Sequence, residues 1–306
     1  NPNRKRNVPE DPKNIFSFTE EAIKFMNSNK DKPTFTYLAH HAIHSALESR
    51  PESFEKFTKK GADKDVALYA ACVFDLDAGI GKIMEFLKTS GLDQNTLVVF
   101  TSDNGATRQS SQEPLRGNKG CYYEGGIREP FIAVWPNKIK PGSTQNTPII
   151  NVDLYPTFLA AAGNPTIRMD GENLLPLFTG QAKTTNRDKI FWHFPGYLNE
   201  PVIRGRDKIF RTRPVTTMRK GDWKILLYHE EWLLDGGKKN LAKNDAVEIY
   251  NLKDDEGERV NLASTNIPKR DELLGELLLW MKATNAPFPT LITETNKPQL
   301  SEGGNE

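Results

Sequence analysis

The chain has 306 residues, and its 41 basic and 40 acidic side chains give a formal net charge of +1. A protein whose main partner is nucleic acid would carry a strongly basic face, so this balance argues against nucleic acid. No apolar run approaches the roughly 18 residues of a membrane span, and two cysteines do not make a disulfide framework. A chain of this length can bury a sizeable core in one large domain or two.

The first part of the chain predicts a helix, a strand and a histidine-rich loop. Thr19 is a candidate N-cap for a helix that ends near Asn29, and the run 34–39 predicts a strand. Zinc ligation is one interpretation of the histidines that follow, although no acidic or thiol partner stands near them in sequence. Polar loop residues are the other interpretation. The histidines are His40, His41 and His44.

Residues 63–87 have the pattern of a long amphipathic helix. Apolar residues recur there at spacings of three and four, and Gly91 follows as a C-cap. We expect Asp75 and Asp77 on the polar side or near the edge of this helix, not in a metal site. Cys72 is expected to be a small buried residue.

The segment 97–130 contains the first candidate site. The β-branched and aromatic run 97–101 predicts a buried strand of a parallel sheet. Asp103 and Asn104 follow at the carboxyl end of that strand, where open α/β sheets form their sites. Their carboxylate and amide oxygens suit Ca²⁺ or Mg²⁺. The alternative is a plain turn that ends at Gly105.

The second half of this segment is rich in glycine and in cationic side chains. It reads RGNKG at 116–120 and YEGGIREP at 123–130, and the apolar run 131–136 follows. Glycines let the backbone approach a ligand closely. A lysine near a divalent cation suits a tetrahedral oxyanion such as sulfate or phosphate, because both neutralise its charge.

The last third of the chain predicts a small antiparallel sheet and a final helix over 270–284. Strands are expected at 190–195, 215–219, 223–228 and 248–252, with a hairpin turn at 220–222. His193, in the first of these strands, either packs among aromatic side chains or faces a substrate cleft. Four nearby arginines either form a solvated face or hold a second anionic group of a substrate: Arg204, Arg206, Arg211 and Arg213.

These motifs together resemble the sulfatase family of the alkaline-phosphatase superfamily. The residues that carry the resemblance are Asp103-Asn104-Gly105, RGNKG at 116–120 and YEGGIREP at 123–130. The similarity runs from roughly Phe18 to the final helix, and the order and spacing of the motifs make it specific.

The resemblance implies an α/β fold of two parts. Residues 1–190 would be the carboxyl-terminal portion of the sulfatase catalytic domain, with part of a mixed or parallel sheet flanked by helices. Residues 191–306 would be a small carboxyl-terminal α+β subdomain with an antiparallel sheet and the final helix. A periplasmic or secreted location is expected from the family.

The resemblance also implies roles for single residues. Lys119 would bind the sulfate and assist the leaving oxygen, and His44 would contact the sulfate ester and donate a hydrogen bond or a proton. Asp103 and Asn104 would hold the cation, expected to be Ca²⁺ with Mg²⁺ as the alternative. The implied substrate is a sulfated small molecule or glycan. Two further residues are candidates for binding it: His193 and Arg116.

One departure from the family bears on function. The family's Cys-x-Pro-x-Arg motif, whose cysteine becomes the formylglycine nucleophile, surrounds neither Cys72 nor Cys121. The strand with the family's paired metal-binding aspartates is absent as well. We therefore expect a carboxyl-terminal portion that is inactive alone, with the formylglycine on a missing amino-terminal portion as partner. Two other hypotheses remain: a phosphodiesterase or phosphonate hydrolase of the same superfamily, and a catalytically inactive binding or structural protein.

Overall fold

The computed structural model describes residues 9–107, 109–164, 169–197 and 214–290. The helices found there are α1 (Ile15–Ser28), α2 (Pro51–Thr58), α3 (Lys64–Thr89), α4 (Glu124–Ile127), α5 (Leu154–Ala161), α6 (Leu175–Phe178), α7 (His229–Leu234) and α8 (Ile267–Ala283). The strands are β1 (Val98–Thr101), β2 (Phe131–Val134), β3 (Lys189–Phe194), β4 (Val215–Lys220), β5 (Trp223–Tyr228) and β6 (Val247–Asn251). The four arginines of the sequence analysis lie outside the described residues: Arg204, Arg206, Arg211 and Arg213.

The chain divides into two compact units. The first lies within Asn1–Asp103, Gln109–Ser111 and Glu129–Arg187, and it holds α1, α2, α3, α5, α6 and the two-stranded β1–β2 sheet. The second lies within Asn104–Arg108, Gln112–Arg128 and Asp188–Glu306, and it holds α4, α7, α8 and a four-stranded sheet. Among the described residues, no helix combines the length and the apolar character needed to cross a membrane.

Helix α1, in the first unit, begins earlier than the sequence indicated. The carboxylate of Asp11 accepts hydrogen bonds from the backbone N–H groups of Phe16 at 2.7 Å and Ser17 at 3.2 Å. These are first-turn donors that have no partner within a helix. Thr19 lies inside the helix, where its hydroxyl donates to the carbonyl of Ile15 at 2.8 Å. The prediction of Thr19 as N-cap was wrong, because Asp11 supplies the capping oxygens.

The long helix predicted over 63–87 is confirmed by α3. Cys72 is buried in it, as expected, and Gly91 follows its end with the left-handed φ of 72° that suits a C-cap. The exposed side differs from the predicted one, since Val66 and Val73 are 42% and 40% exposed.

Asp75 is fully buried, whereas we expected it on the polar side or near the edge of α3. Its carboxylate accepts hydrogen bonds from the backbone N–H of Arg50 at 2.8 Å, from Nε of Arg50 at 2.8 Å and from the hydroxyl of Ser53 at 2.6 Å. A buried carboxylate needs such partners to offset the loss of water. Asp75 therefore joins α2 to α3, a structural role.

The strand predicted at 97–101 exists as β1, but its surroundings differ from those expected. It pairs antiparallel with β2, and Phe100 stands opposite Ile132. These two side chains are 38% and 56% exposed, so β1 is neither buried nor in a parallel pair within the described residues. No strand is found at 34–39, because a strand needs a hydrogen-bonded neighbour and no described strand pairs with this segment.

The second unit is built on an antiparallel sheet of order β3-β4-β5-β6, and α8 packs on it. The four strands, the hairpin at Gly221 and the final helix confirm the predictions for this region. The side chain of Asn266 caps α8 by accepting the N–H of Lys269 at 3.3 Å. Burial of each large apolar side chain contributes roughly 1.5–3 kcal/mol to this core. The core includes Met218, Ile225, Leu227, Ile249, Leu273, Leu274, Leu277 and Met281.

Candidate active site

Backbone hydrogen bonds in the second unit join segment 104–107 to segment 116–126. The N–H of Lys119 donates to the carbonyl of Ala106 at 2.9 Å. This bond holds the backbone of Lys119 against Ala106, which is two residues after Asn104. Lys119 and Asn104 are only partly buried, so both side chains are accessible to a ligand.

Glycines allow these two segments to approach each other. The N–H of Gly105 donates to the carbonyl of Gly126 at 3.0 Å. A Cβ atom on Gly105 would lie 2.1 Å from the carbonyl oxygen of Gly125, and one on Gly126 would lie 2.2 Å from that of Cys121. Any side chain at either position would push the segments apart.

The ammonium of Lys119 is available for an anion. In the part of the chain that the structure describes, this ammonium forms no ion pair or hydrogen bond with a protein group. A lysine ammonium is a compact charge with three donors. Because the backbone of Lys119 is held in place and no described carboxylate pairs with its ammonium, this ammonium can bind an oxyanion.

Arg116 lies at the start of the same loop and is only 7% exposed. Its Nη1 donates to the hydroxyl of Tyr250 and to the carbonyl of Glu258, both at 2.9 Å. Its guanidinium also lies over the ring of Tyr123, 3.9 Å from the ring centroid. These contacts attach the loop to the sheet, and the role in substrate binding that we expected for Arg116 stays a prediction.

A buried ionic cluster that the sequence did not indicate lies beside this loop. Lys224 on β5 is fully buried, and its Nζ lies 2.9 Å from Oε1 of Glu124 and 2.8 Å from Oε1 of Glu258. Burial alone would lower the pKa of Lys224, but the two carboxylates outweigh it and raise that pKa. No local pattern signals the cluster, because Lys224 is 100 residues from Glu124 in sequence.

In the first unit, Asp103 lies at the exposed end of β1. Burial and the charge of Asp103 raise the pKa of Glu129 to about 7, although a hydrogen bond with Ser102 lowers it in part. The charge of Asp103 thus opposes ionisation of Glu129.

The oxygens of Asp103 and of Asn104, the next residue, suit Ca²⁺ or Mg²⁺ in kind. Ca²⁺ takes about six to eight oxygen ligands, so these two side chains would supply only part of a coordination set, and their role as metal ligands stays a prediction. Among the described residues, no group of three or more His, Cys, Asp or Glu side chains could hold a metal ion.

His44 is an exposed residue of the first unit. Its Nδ1 lies 2.9 Å from the carbonyl oxygen of Ser45, and its ring centroid lies 5.5 Å from that of His41. A carbonyl only accepts, so Nδ1 carries the proton that is donated to it. In the neutral ring, Nε2 is then the atom that can accept a proton or a hydrogen bond.

His193 belongs to the second unit, among aromatic side chains. Its Nδ1 lies 2.8 Å from the hydroxyl oxygen of Thr216, which lies 2.7 Å from Nε2 of His229. Its ring also meets that of Trp280 edge-on. These contacts favour the core alternative, and the substrate-facing role of His193 stays a prediction.

Comparisons with known proteins identify the family. A family model described as Sulfatase matches residues 6–164, just over half of the chain. The chain belongs to the sulfatase family. A second model, described as N-sulphoglucosamine sulphohydrolase, C-terminal, matches residues 117–278 of this sulfatase.

Two curated relatives are similar to this sulfatase over most of its length. A sulfatase of Formosa agariphila is 31% identical over 287 residues, which cover 85% of this chain and 48% of that protein. Arylsulfatase A of Homo sapiens is 33% identical over 248 residues, which cover 76% of this chain and 45% of that protein. The chain spans about half the length of the curated relatives it matches.

A solved structure with a similar fold is the crystal structure of Ps i-CgsB. It has a TM-score of 0.70 and 27% identity, and the match covers 89% of this chain and 55% of that one. The same protein has been solved in complex with k-i-k-neocarrahexaose. This likeness confirms the α/β, alkaline-phosphatase-like fold class that we expected.

Proposed function

We propose that this chain is the carboxyl-terminal portion of a sulfatase that hydrolyses sulfate esters. The observation that carries the proposal is Lys119, whose backbone is fixed by the carbonyl of Ala106 and whose ammonium has no carboxylate partner among the described residues. An ammonium that is already in place stabilises charge on a transferred group without rearrangement. The family membership supports sulfate as that group.

In this proposal, each site residue has one task. Lys119 binds a sulfate oxygen and neutralises charge that develops on the leaving oxygen. In the imidazolium form, with a proton on Nε2 as well as on Nδ1, His44 hydrogen-bonds the ester and transfers the Nε2 proton to the leaving oxygen. Asp103 and Asn104 supply oxygens to Ca²⁺, with Mg²⁺ as the alternative. When bound, the cation and the formylglycine of the family supply Lewis-acid charge and the nucleophile.

We propose a carbohydrate sulfate as the substrate class. The support is Ps i-CgsB, a protein 27% identical to this chain that has been solved with a neocarrahexaose. The candidates for contacts with such a substrate are His193, Arg116 and four arginines outside the described residues: Arg204, Arg206, Arg211 and Arg213. Hydrolysis of a sulfated oligosaccharide at a higher kcat/KM than an aryl sulfate would support this class, and the reverse order would oppose it.

We further propose that the nucleophile lies on an amino-terminal portion that acts with this chain. The support is that neither cysteine lies in Cys-x-Pro-x-Arg and that the relatives are about twice as long as their match to this chain. Positioning groups without a nucleophile leave only a small residual rate enhancement. Residues 1–306 alone should therefore not turn over a sulfate ester.

The test compares residues 1–306 with a polypeptide extended upstream in the gene, in the presence of Ca²⁺. We expect the extended polypeptide alone to hydrolyse an aryl sulfate with multiple turnovers. A preference for a phosphodiester would favour the phosphodiesterase alternative instead. Turnover by residues 1–306, abolished by Lys119→Ala, would contradict the division of the site between two portions.

A further inference from the structure

Lys224 is fully buried in the second unit. The function proposed above gives it no role. A buried ammonium is costly unless it is paired, and here two carboxylates, those of Glu124 and Glu258, lie within 2.9 Å of its Nζ. Replacing a buried ion pair by apolar residues of similar size often leaves a protein equally stable or makes it more stable. Stability alone therefore does not account for a lysine at this position of β5.

Both partners of Lys224 hold the segment that carries Lys119. Glu258 accepts the backbone N–H of Glu124 through Oε2 at 2.6 Å. The next residue, Gly125, donates its own N–H to the carbonyl of Arg116 at 2.8 Å. Lys119 follows Arg116 in the same loop, so the contacts run from the buried ammonium to the backbone of the anion-binding loop.

Two arginines strengthen this connection. Nη1 of Arg219 lies 3.2 Å from Oε2 of Glu124, so this carboxylate is held by a cation at each oxygen. The guanidinium of Arg116 donates to the carbonyl of Glu258 at 2.9 Å. The loop is therefore joined to the sheet at Arg116 and at Glu124, on either side of Lys119.

We propose that Lys224 is a positioning residue that, through Glu258 and Glu124, places the loop of Lys119 for binding of the sulfate oxyanion. Lys224 touches neither substrate nor cation and acts through the two carboxylates alone. The identity of the anion rests on the proposed function, whereas the ordering of the loop does not.

The test uses residues 1–306 labelled with ¹⁵N and compares three variants. Lys224→Met removes the ammonium and leaves two carboxylates behind, so it can lower stability. Lys224→Met/Glu258→Gln removes one charge of each sign and keeps the cluster balanced. Lys220→Met is the control, because Lys220 lies on the neighbouring strand with 31% exposure and pairs with Glu272 and Glu276.

The first readout is hydrogen exchange at the amides of Lys119 and Gly125 in the loop and at amides of the β4–β5 ladder. In the double variant we expect roughly tenfold faster exchange or more at the loop amides and little change at the ladder amides. The control should match the parent at both places. Equal acceleration at loop and ladder would show a merely structural role, and unchanged loop exchange would likewise overturn the proposal.

The second readout is a titration with inorganic sulfate at constant ionic strength, followed at the Lys119 amide. We expect the double variant to lose roughly tenfold or more in affinity, while Lys220→Met keeps the parent value. If the parent shows no saturable shift at Lys119, residues 1–306 do not bind sulfate by themselves, and hydrogen exchange still decides whether Lys224 orders the loop. Faster loop exchange with an unchanged sulfate affinity would overturn the positioning role.

Discussion

At the scale of single residues, the chemistry depends on Lys119 and His44. Lys119 presents an ammonium on a loop whose backbone is fixed, and His44 presents Nε2 because its Nδ1 is engaged by the carbonyl of Ser45. Neither side chain is part of a buried core. Their removal should therefore affect turnover far more than stability.

We predict that Lys119→Ala and His44→Ala each lower kcat/KM for a sulfate ester by roughly 10²-fold or more in the extended, active polypeptide. This is the scale for loss of one charge-stabilising group or of one acid–base group. Steady-state kinetics measure the effect, with melting temperatures as the control for folding. A variant that keeps the parent rate would remove that residue from the mechanism.

Asp153 and Arg187 form a buried ion pair in the first unit. Nη1 and Nη2 of Arg187 each lie 2.7 Å from one carboxylate oxygen of Asp153, whose side chain is fully buried. Burial opposes ionisation of Asp153, but Arg187 and the backbone N–H groups of Glu172 and Ile150 outweigh it and lower the pKa of Asp153. These contacts give Asp153 a structural role in the first unit.

We predict that Arg187→Ala lowers the free energy of unfolding by about 3 kcal/mol or more, because it leaves a buried carboxylate without its cation. Urea titrations followed by circular dichroism measure the change. Lys24→Ala is the matched control, since the pair of Lys24 with Glu21 is exposed and contributes little. Equal midpoints for the two variants would contradict the role of the buried pair.

At the scale of elements, one face of α3 packs against α1 and another face has no neighbouring atoms among the described residues. Gly79 and Gly81 stand on it within one turn of each other. A Cβ atom on Gly79 would lie 2.9 Å from Cγ2 of Ile15 and 2.9 Å from Oγ1 of Thr19 on α1. A Cβ atom on Gly81 would have no atom within 4 Å. The two glycines therefore allow a direct test of the packing between α1 and α3.

Gly81→Ala should raise the free energy of unfolding by up to about 1 kcal/mol, because alanine loses less backbone entropy in a helix. Gly79→Ala should lower it by roughly 1–3 kcal/mol, because α1 must move to make room. The midpoints of urea unfolding should thus shift in opposite directions. A stabilising Gly79→Ala would mean that α1 does not pack closely at this point.

At the scale of the whole molecule, stability should depend on pH through His229. This ring is fully buried and stacks on Phe288. Burial, together with the neighbouring His193, lowers the pKa of His229 to about 4 from 6.5. Above pH 6.5 the ring is neutral in both the folded and the unfolded chain. Between pH 6.5 and about pH 4, His229 binds a proton in the unfolded chain but not in the folded chain. The free energy of unfolding therefore falls as the pH is lowered through this range.

We predict a loss of up to about 3 kcal/mol from this one group between pH 6.5 and pH 4. His229→Gln should flatten the pH dependence in this window, whatever its effect on stability at pH 7. Urea titrations at several pH values between 4 and 7 give the two slopes. Equal slopes for the parent and the variant would show that His229 does not cause the acid sensitivity.

Local patterns alone predicted much of the fold. The spacing of apolar residues predicted α3, and the turn at Gly221 between two apolar runs predicted the β4–β5 hairpin. These elements depend on neighbours in sequence, so a sequence can specify them. The order of the glycine-rich motifs in segment 97–130 likewise identified the sulfatase family before any fold was known.

Only the tertiary structure decided where charged side chains find their partners. Asp11 caps α1, Asp75 is buried against Arg50, and Lys224 is buried between Glu124 and Glu258, although a lysine in a strand is normally exposed. Each of these roles depends on a partner whose position no local pattern encodes. The same holds for the exposed β1–β2 sheet, since burial of a strand depends on what packs against it rather than on its own residues.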